Sequence, residues 1–214
     1  MHIDRFTLYY FGALVVAVIL HEISHGVVAL WLGDDTAKRA GRLTLNPVPH
    51  IDPFGSVILP ALGALAGVPV IAWAKPVPVN PARLRRGRRD MLLVSLAGPG
   101  TNFALAFVAA VTARELYHRA GVSSAALAPL PLVVALPLMF AAVNLFLGVF
   151  NFLPIPPLDG AALIERVLPR SWLPGWYRFR PYGMAVLFAL VFLTGFPSRI
   201  AAPLVTRLYR FVLQ

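Results

Sequence analysis

The sequence contains no cysteine. Disulfides, thiolate metal sites and cysteine nucleophiles are therefore excluded. Charge is scarce as well: Asp, Glu, Lys and Arg make up 13% of the 214 residues, against about 25% in soluble domains. Acids are the rarest charge, nine against 19 basic residues, for a net charge of +10. What fills the chain instead is apolar: 58% of residues, with a mean hydropathy of +0.74. These values identify an integral membrane protein. In a soluble chain the positive charge would point to nucleic acid. Here the arginines stand between apolar runs, as in "RLRRGRRD" at 83–90. That is the composition of loops governed by the positive-inside rule, so no nucleic-acid partner is expected.

The first apolar run, 6–32, is long enough to cross a bilayer, for which a helix needs about 20 residues. It exceeds the roughly 7–15 residues of a signal-peptide core. A second run, 54–74, is interrupted by Pro60, Pro69 and several glycines, and makes a poor straight helix. Further runs cover 91–117, 127–153 and 182–196, and the tail, 198–214, reads as an interfacial helix or a short last span. Between the first and third runs, residues 36–81 form a re-entrant or extended region. Within it "GRLTLNP" (41–47) alternates Leu43 and Leu45 with polar residues, as a strand does. In "AKPVPVNP" (74–81), Pro76 and Pro78 leave one edge without N–H donors. A short amphipathic helix is expected over 158–168. The fold class is all-α and polytopic: one membrane domain over 1–214, with about five to six membrane helices and a small re-entrant extended segment.

Ionisable residues inside the first run are the strongest signal. "HEISH" places His21 and His25 four apart, on one helix face, where both imidazoles reach one ion. Glu22 projects about 100° away around the axis, within reach of a water on that ion. Each ionisable group at mid-membrane costs about 2.5–3.5 kcal/mol, and such residues are functional by default. A metal offsets that cost. A catalytic zinc takes three protein ligands and keeps one position open. His2 and His118 read as surface residues. Asp159, after the proline break of "NFLPIPPLDG" (151–160), is either the third ligand or an N-cap for the helix that follows. His50, beside Asp52, reads as a loop histidine bonded to that carboxylate, with a substrate contact as the other reading. Asn102 reads as a hydrogen-bond partner of a neighbouring helix.

"HEISH" in a first membrane helix and "NFLPIPPLDG" at the end of a later one resemble the site-2 protease family of intramembrane zinc metalloproteases. "LAGPGTNF" (96–103) and the "GRLTLNPVPHIDP…WAKPVPVNP" block are similar to its compact prokaryotic branch. The resemblance covers nearly the whole chain. It implies one zinc on His21, His25 and Asp159, Glu22 as general base, and Asn151 near the scissile carbonyl. It also implies transmembrane protein substrates, in regulated intramembrane proteolysis. PDZ-like and CBS-like segments are missing, as is a span ahead of the motif helix, so no built-in substrate filter or nucleotide sensor is expected. An extended substrate would add along 41–47 or 75–81, which makes Asn46, His50 and Asn80 the candidate substrate contacts.

The charge rule gives an orientation. With the N-terminus outside and 54–74 returning to the side it left, 13 of the 19 basic residues are cytoplasmic. A full crossing by 54–74, with the N-terminus inside, gives 11 against 8. The first arrangement is favoured, in the cell membrane, with the metal site toward the cytoplasm. A transporter or channel with a mid-membrane metal site is the alternative function, though transport does not call for a glutamate beside the histidine pair. A serine protease lacks a Gly-x-Ser-Gly setting for Ser24, Ser56 or Ser95.

Overall fold

Ala17, His21, His25 and Ala29 recur every four residues, and that row is the buried face of the first helix. The computed structural model describes residues 5–58, 74–121 and 130–214, and among them every regular element is helical. The helices are α1 (Arg5–Trp31), α2 (Thr36–Arg39), α3 (Arg88–Arg119), α4 (Leu132–Asn151), α5 (Ala161–Val167), α6 (Leu173–Phe179), α7 (Gly183–Thr194) and α8 (Phe196–Leu213). The runs expected at 6–32, 91–117 and 182–196 are α1, α3 and α7. That at 127–153 is α4, with 127–129 outside the described residues. Most of the interrupted run at 54–74 also lies outside them.

Packing is turned inside out relative to a soluble protein. The buried face of α3 is small or polar, with Ser95, Gly98, Asn102, Ala106, Ala109 and Ala113. α1, α3 and α4 pack against one another along such faces. Small residues let membrane helices approach closely where no hydrophobic force drives them together. Many large side chains point outward: Leu8 and Phe11 on α1, Phe107 and Val108 on α3, and Val133 on α4 are all exposed. α1, α3 and α4 are long and apolar enough to cross a membrane. The chain Arg170–Thr194 with Arg199–Leu213, bent by 70°, makes a fourth crossing if it is one broken span. The tail expected at 198–214 is helical, as α8, and it packs against the bundle. Leu208 and Val212 of α8 are buried with Ala109, Ala110 and Ala113 of α3 and with Leu138 and Ala141 of α4.

The expected strand at 41–47 is not formed; those residues are turns and bends. Local side-chain bonds win over the short alternation. The Asn46 N–H donates to Thr44 Oγ1 (3.1 Å), and Asn46 Oδ1 accepts the Val48 N–H (3.0 Å). Residues 74–80 run without regular structure and pair with no strand among the described residues. Their bonds go elsewhere. The Lys75 N–H donates to the His50 carbonyl (2.9 Å), and Arg42 Nη2 donates to the Lys75 carbonyl (2.5 Å). The Val77 N–H donates to Glu22 Oε2 (2.8 Å), and the Asn80 N–H to Asp34 Oδ2 (2.6 Å). Because Pro76 and Pro78 have no N–H, Val77 supplies the single backbone donor of that tripeptide, and Glu22 takes it.

A candidate metal centre

α1 presents His21 and His25 to α3, and the connection between α4 and α5 brings in Asp159. The two imidazole rings stand edge to face, with centroids 4.7 Å apart. Asp159 Oδ2 lies 3.0 Å from His21 Nε2 and 3.3 Å from His25 Nε2, and the two Nε2 atoms are 3.1 Å apart. Both histidines are buried and Asp159 is partly so. The N-cap of α5 is Gly160, with no side-chain cap bond. The Asp159 carboxylate therefore faces the histidines and does not cap that helix. Local backbone geometry makes this turn: the Gly160 N–H donates to the Asn151 carbonyl (2.7 Å), and a Cβ on Gly160 would collide with the Phe152 carbonyl.

Hydrogen bonding fixes which nitrogens are bare. The Phe140 carbonyl can only accept, so Asn144 donates to it through Nδ2 (2.9 Å). Asn144 must then offer Oδ1 to Asn102 Nδ2 (2.8 Å), and Asn102 must offer Oδ1 to His21 (2.5 Å). His21 donates through Nδ1–H. His25 does the same, from Nδ1 to the Val94 carbonyl (2.7 Å). With both imidazoles neutral, these tautomers leave a lone pair on each Nε2. Two imidazole nitrogens and a carboxylate oxygen then converge as three acceptors. Lone pairs at such distances repel unless a cation stands among them, and this donor set suits zinc. Space is kept as well. A Cβ at Gly98 would lie 2.5 Å from both Nε2 atoms, so the absent side chain leaves the histidine edge open.

The other expected residues are not among the three converging donors and are hydrogen-bonded elsewhere. The Asn151 amide donates within α4, to the Leu147 carbonyl (3.1 Å). Asn80 Oδ1 caps the turn Pro81–Arg83 by accepting the Ala82 N–H (3.0 Å), and Asn46 is exposed in its own turn. His50 is buried, and its Nε2 is bonded to the Thr44 carbonyl (3.0 Å). It does not pair with Asp52, whose Oδ1 accepts the Gly55 N–H (2.6 Å). Asn102 does bond neighbouring helices, as expected, but one partner is His21 itself. The roles of Asn144, Gly98 and the Val94 carbonyl were not foreseen. "LAGPGTNF" contains Gly98 and Asn102, both against the histidines, without saying what they face.

Comparison with known proteins agrees with the geometry. The signature of Peptidase family M50 matches residues 115–194, which include Asp159. "Putative zinc metalloprotease YwhC" of Bacillus subtilis (strain 168) is 37% identical over 194 residues, 89% of this chain and 83% of that protein. "Putative zinc metalloprotease Rip2" of Mycobacterium tuberculosis (strain ATCC 25618 / H37Rv) is 36% identical over 182 residues, 84% of this chain and 62% of that one. No solved structure matches. With membrane-length helices, a three-donor metal cluster and relatives of this extent, the chain belongs to peptidase family M50, the site-2 protease family of intramembrane metalloproteases.

Proposed function

We propose that His21, His25 and Asp159 hold one zinc ion and that Glu22 is the general base for cleaving membrane-embedded protein substrates. The observation that carries this reading is the meeting of two imidazole nitrogens and a carboxylate oxygen within about 3 Å of one another. Zinc held by these three residues would supply a water of lowered pKa and a Lewis acid for the scissile carbonyl. Glu22 follows His21 on α1. Its carboxylate takes the proton from that water and passes it to the leaving amine. Its Oε2 accepts the Val77 N–H, and the carboxylate has a second oxygen with which to take that proton. Asn151, freed from Leu147, hydrogen-bonds the tetrahedral oxyanion. The unwound substrate lies along 75–81 or 41–47, near Asn46, His50 and Asn80.

The five-to-six-span arrangement, with 54–74 re-entrant, fits the charge rule best and places the centre toward the cytoplasmic side of the cell membrane. A transport function finds no support among the relatives. The test uses purified protein and a membrane-embedded reporter. Glu22→Gln should abolish cleavage, by at least about a hundredfold for loss of a general base, while zinc content stays near one per chain. Asp159→Asn should lower zinc content. Cleavage persisting in Glu22→Gln would remove the base assignment, and unchanged zinc in Asp159→Asn would remove that ligand.

A further inference from the structure

Four exposed arginines line one open surface cavity of about 470 Å³ at the start of a membrane-length helix. Arg88 and Arg89 open α3, Arg166 lies in the last turn of α5, and Arg170 begins the turn Arg170–Trp172. None of the four side chains has an ion pair or hydrogen bond among the described residues. Acids adjacent in sequence are committed elsewhere. Asp90 is buried and its Oδ2 accepts the Arg86 N–H (2.8 Å). Glu165 Oε1 lies 3.3 Å from Arg180 Nη1 and accepts the Trp176 indole N–H (3.0 Å). α3 also begins without a side-chain cap, so the positive end of its dipole adds to the same field. Unpaired like charges around one space repel one another, and an anion relieves that repulsion. Guanidinium groups match phosphate oxygens in two-pronged fashion.

A second, apolar groove of about 520 Å³ adjoins this cavity, and Leu168 lines both. Ile164, Trp172, Trp176 and Phe179 form its walls, and Trp172 is 69% exposed. Tryptophan in such a position is characteristic of the membrane–water boundary. A basic cavity joined to an aromatic groove has the polarity of a phospholipid, head and tail. We infer that the arginine cavity and the groove beside it bind one anionic phospholipid, its phosphate on Arg88, Arg89, Arg166 and Arg170 and an acyl chain on the tryptophan side. The lipid bridges α3 and α5, and α5 begins just after Asp159. The inference rests on the membrane placement of α3 and stands whether or not the metal roles above are correct.

Short-chain phosphatidylglycerol, titrated into the protein in neutral detergent, tests it. The thermal midpoint should rise by about 5–10 °C at a hundredfold excess over Kd. Short-chain phosphatidylcholine and inorganic phosphate should each give no more than a small fraction of that rise. Arg166→Gln/Arg170→Gln should lose most of the shift, and Trp172→Ala part of it. An equal rise with phosphatidylcholine, or with inorganic phosphate alone, would overturn the lipid assignment, as would a full shift retained by the double variant. If that variant does not fold, a photoactivatable phosphatidylglycerol decides on the wild type. Adducts on residues 164–179 support the site, and adducts confined to other segments overturn it.

Discussion

At the scale of single residues, the histidine pair was legible because helical spacing alone sets its geometry. Spacing says nothing, however, about which nitrogen is bare. That is settled by a carbonyl in another helix, passed through two asparagine amides to His21. Groups behind a metal ligand typically contribute about 10–100-fold to affinity. Asn102→Ala should therefore weaken zinc binding by about that factor, read by competition with a chromophoric chelator, while helical content is retained. Wild-type affinity in the variant would show that the Nδ1 contact is dispensable. Sequence could not single out Asn144, since an amide in an apolar run looks alike whether it faces a partner or lipid. Asp159 was half visible. Its proline-broken setting suggested either capping or ligation; the turn between α4 and α5 leaves the helix uncapped by Asp159 and faces the carboxylate to the histidines.

At the scale of elements, long runs were read well and short ones poorly. α1, α3 and α4 follow from about 20 apolar residues with no competing local bond. The alternation in 41–47 was too brief to outweigh the turn chemistry of Thr44 and Asn46. The loop just beyond α1 is held by Asp34, which is fully buried. Burial alone would raise its pKa, but the Thr36 hydroxyl, the Asn80 N–H and the Thr36 N–H donate to its oxygens and hold it below the ordinary 3.8. A carboxyl depressed in the folded state contributes stability that is fully present above its unfolded value and fades as pH falls through its folded one. Wild type should thus be more stable than Asp34→Asn at neutral pH, and the gap should narrow only below about pH 4. Thermal unfolding of both across pH 3–7 measures it, and a gap independent of pH would contradict this account.

At the scale of the whole molecule, orientation depends on where the basic residues collect. Exposed positions make the test direct, since the native chain has no thiol of its own. Ala82→Cys, on the arginine-rich side, should react with an impermeant maleimide only after cells are permeabilised. His118→Cys, at the other end of α3, should react on intact cells. The opposite pattern would reverse the topology. Charge counting alone separated the two arrangements by only two residues. The packed helices show why composition was a better guide to spans than to assembly: outward faces obey hydropathy, and inward faces obey size and hydrogen bonding.

The Pro76-Val77-Pro78 tripeptide has a practical consequence. Only one of its three residues carries an exchangeable backbone hydrogen, and that hydrogen is held by Glu22. Deuterium uptake at this single position is therefore a built-in reporter of whether the carboxylate is latched or has been vacated for an incoming chain.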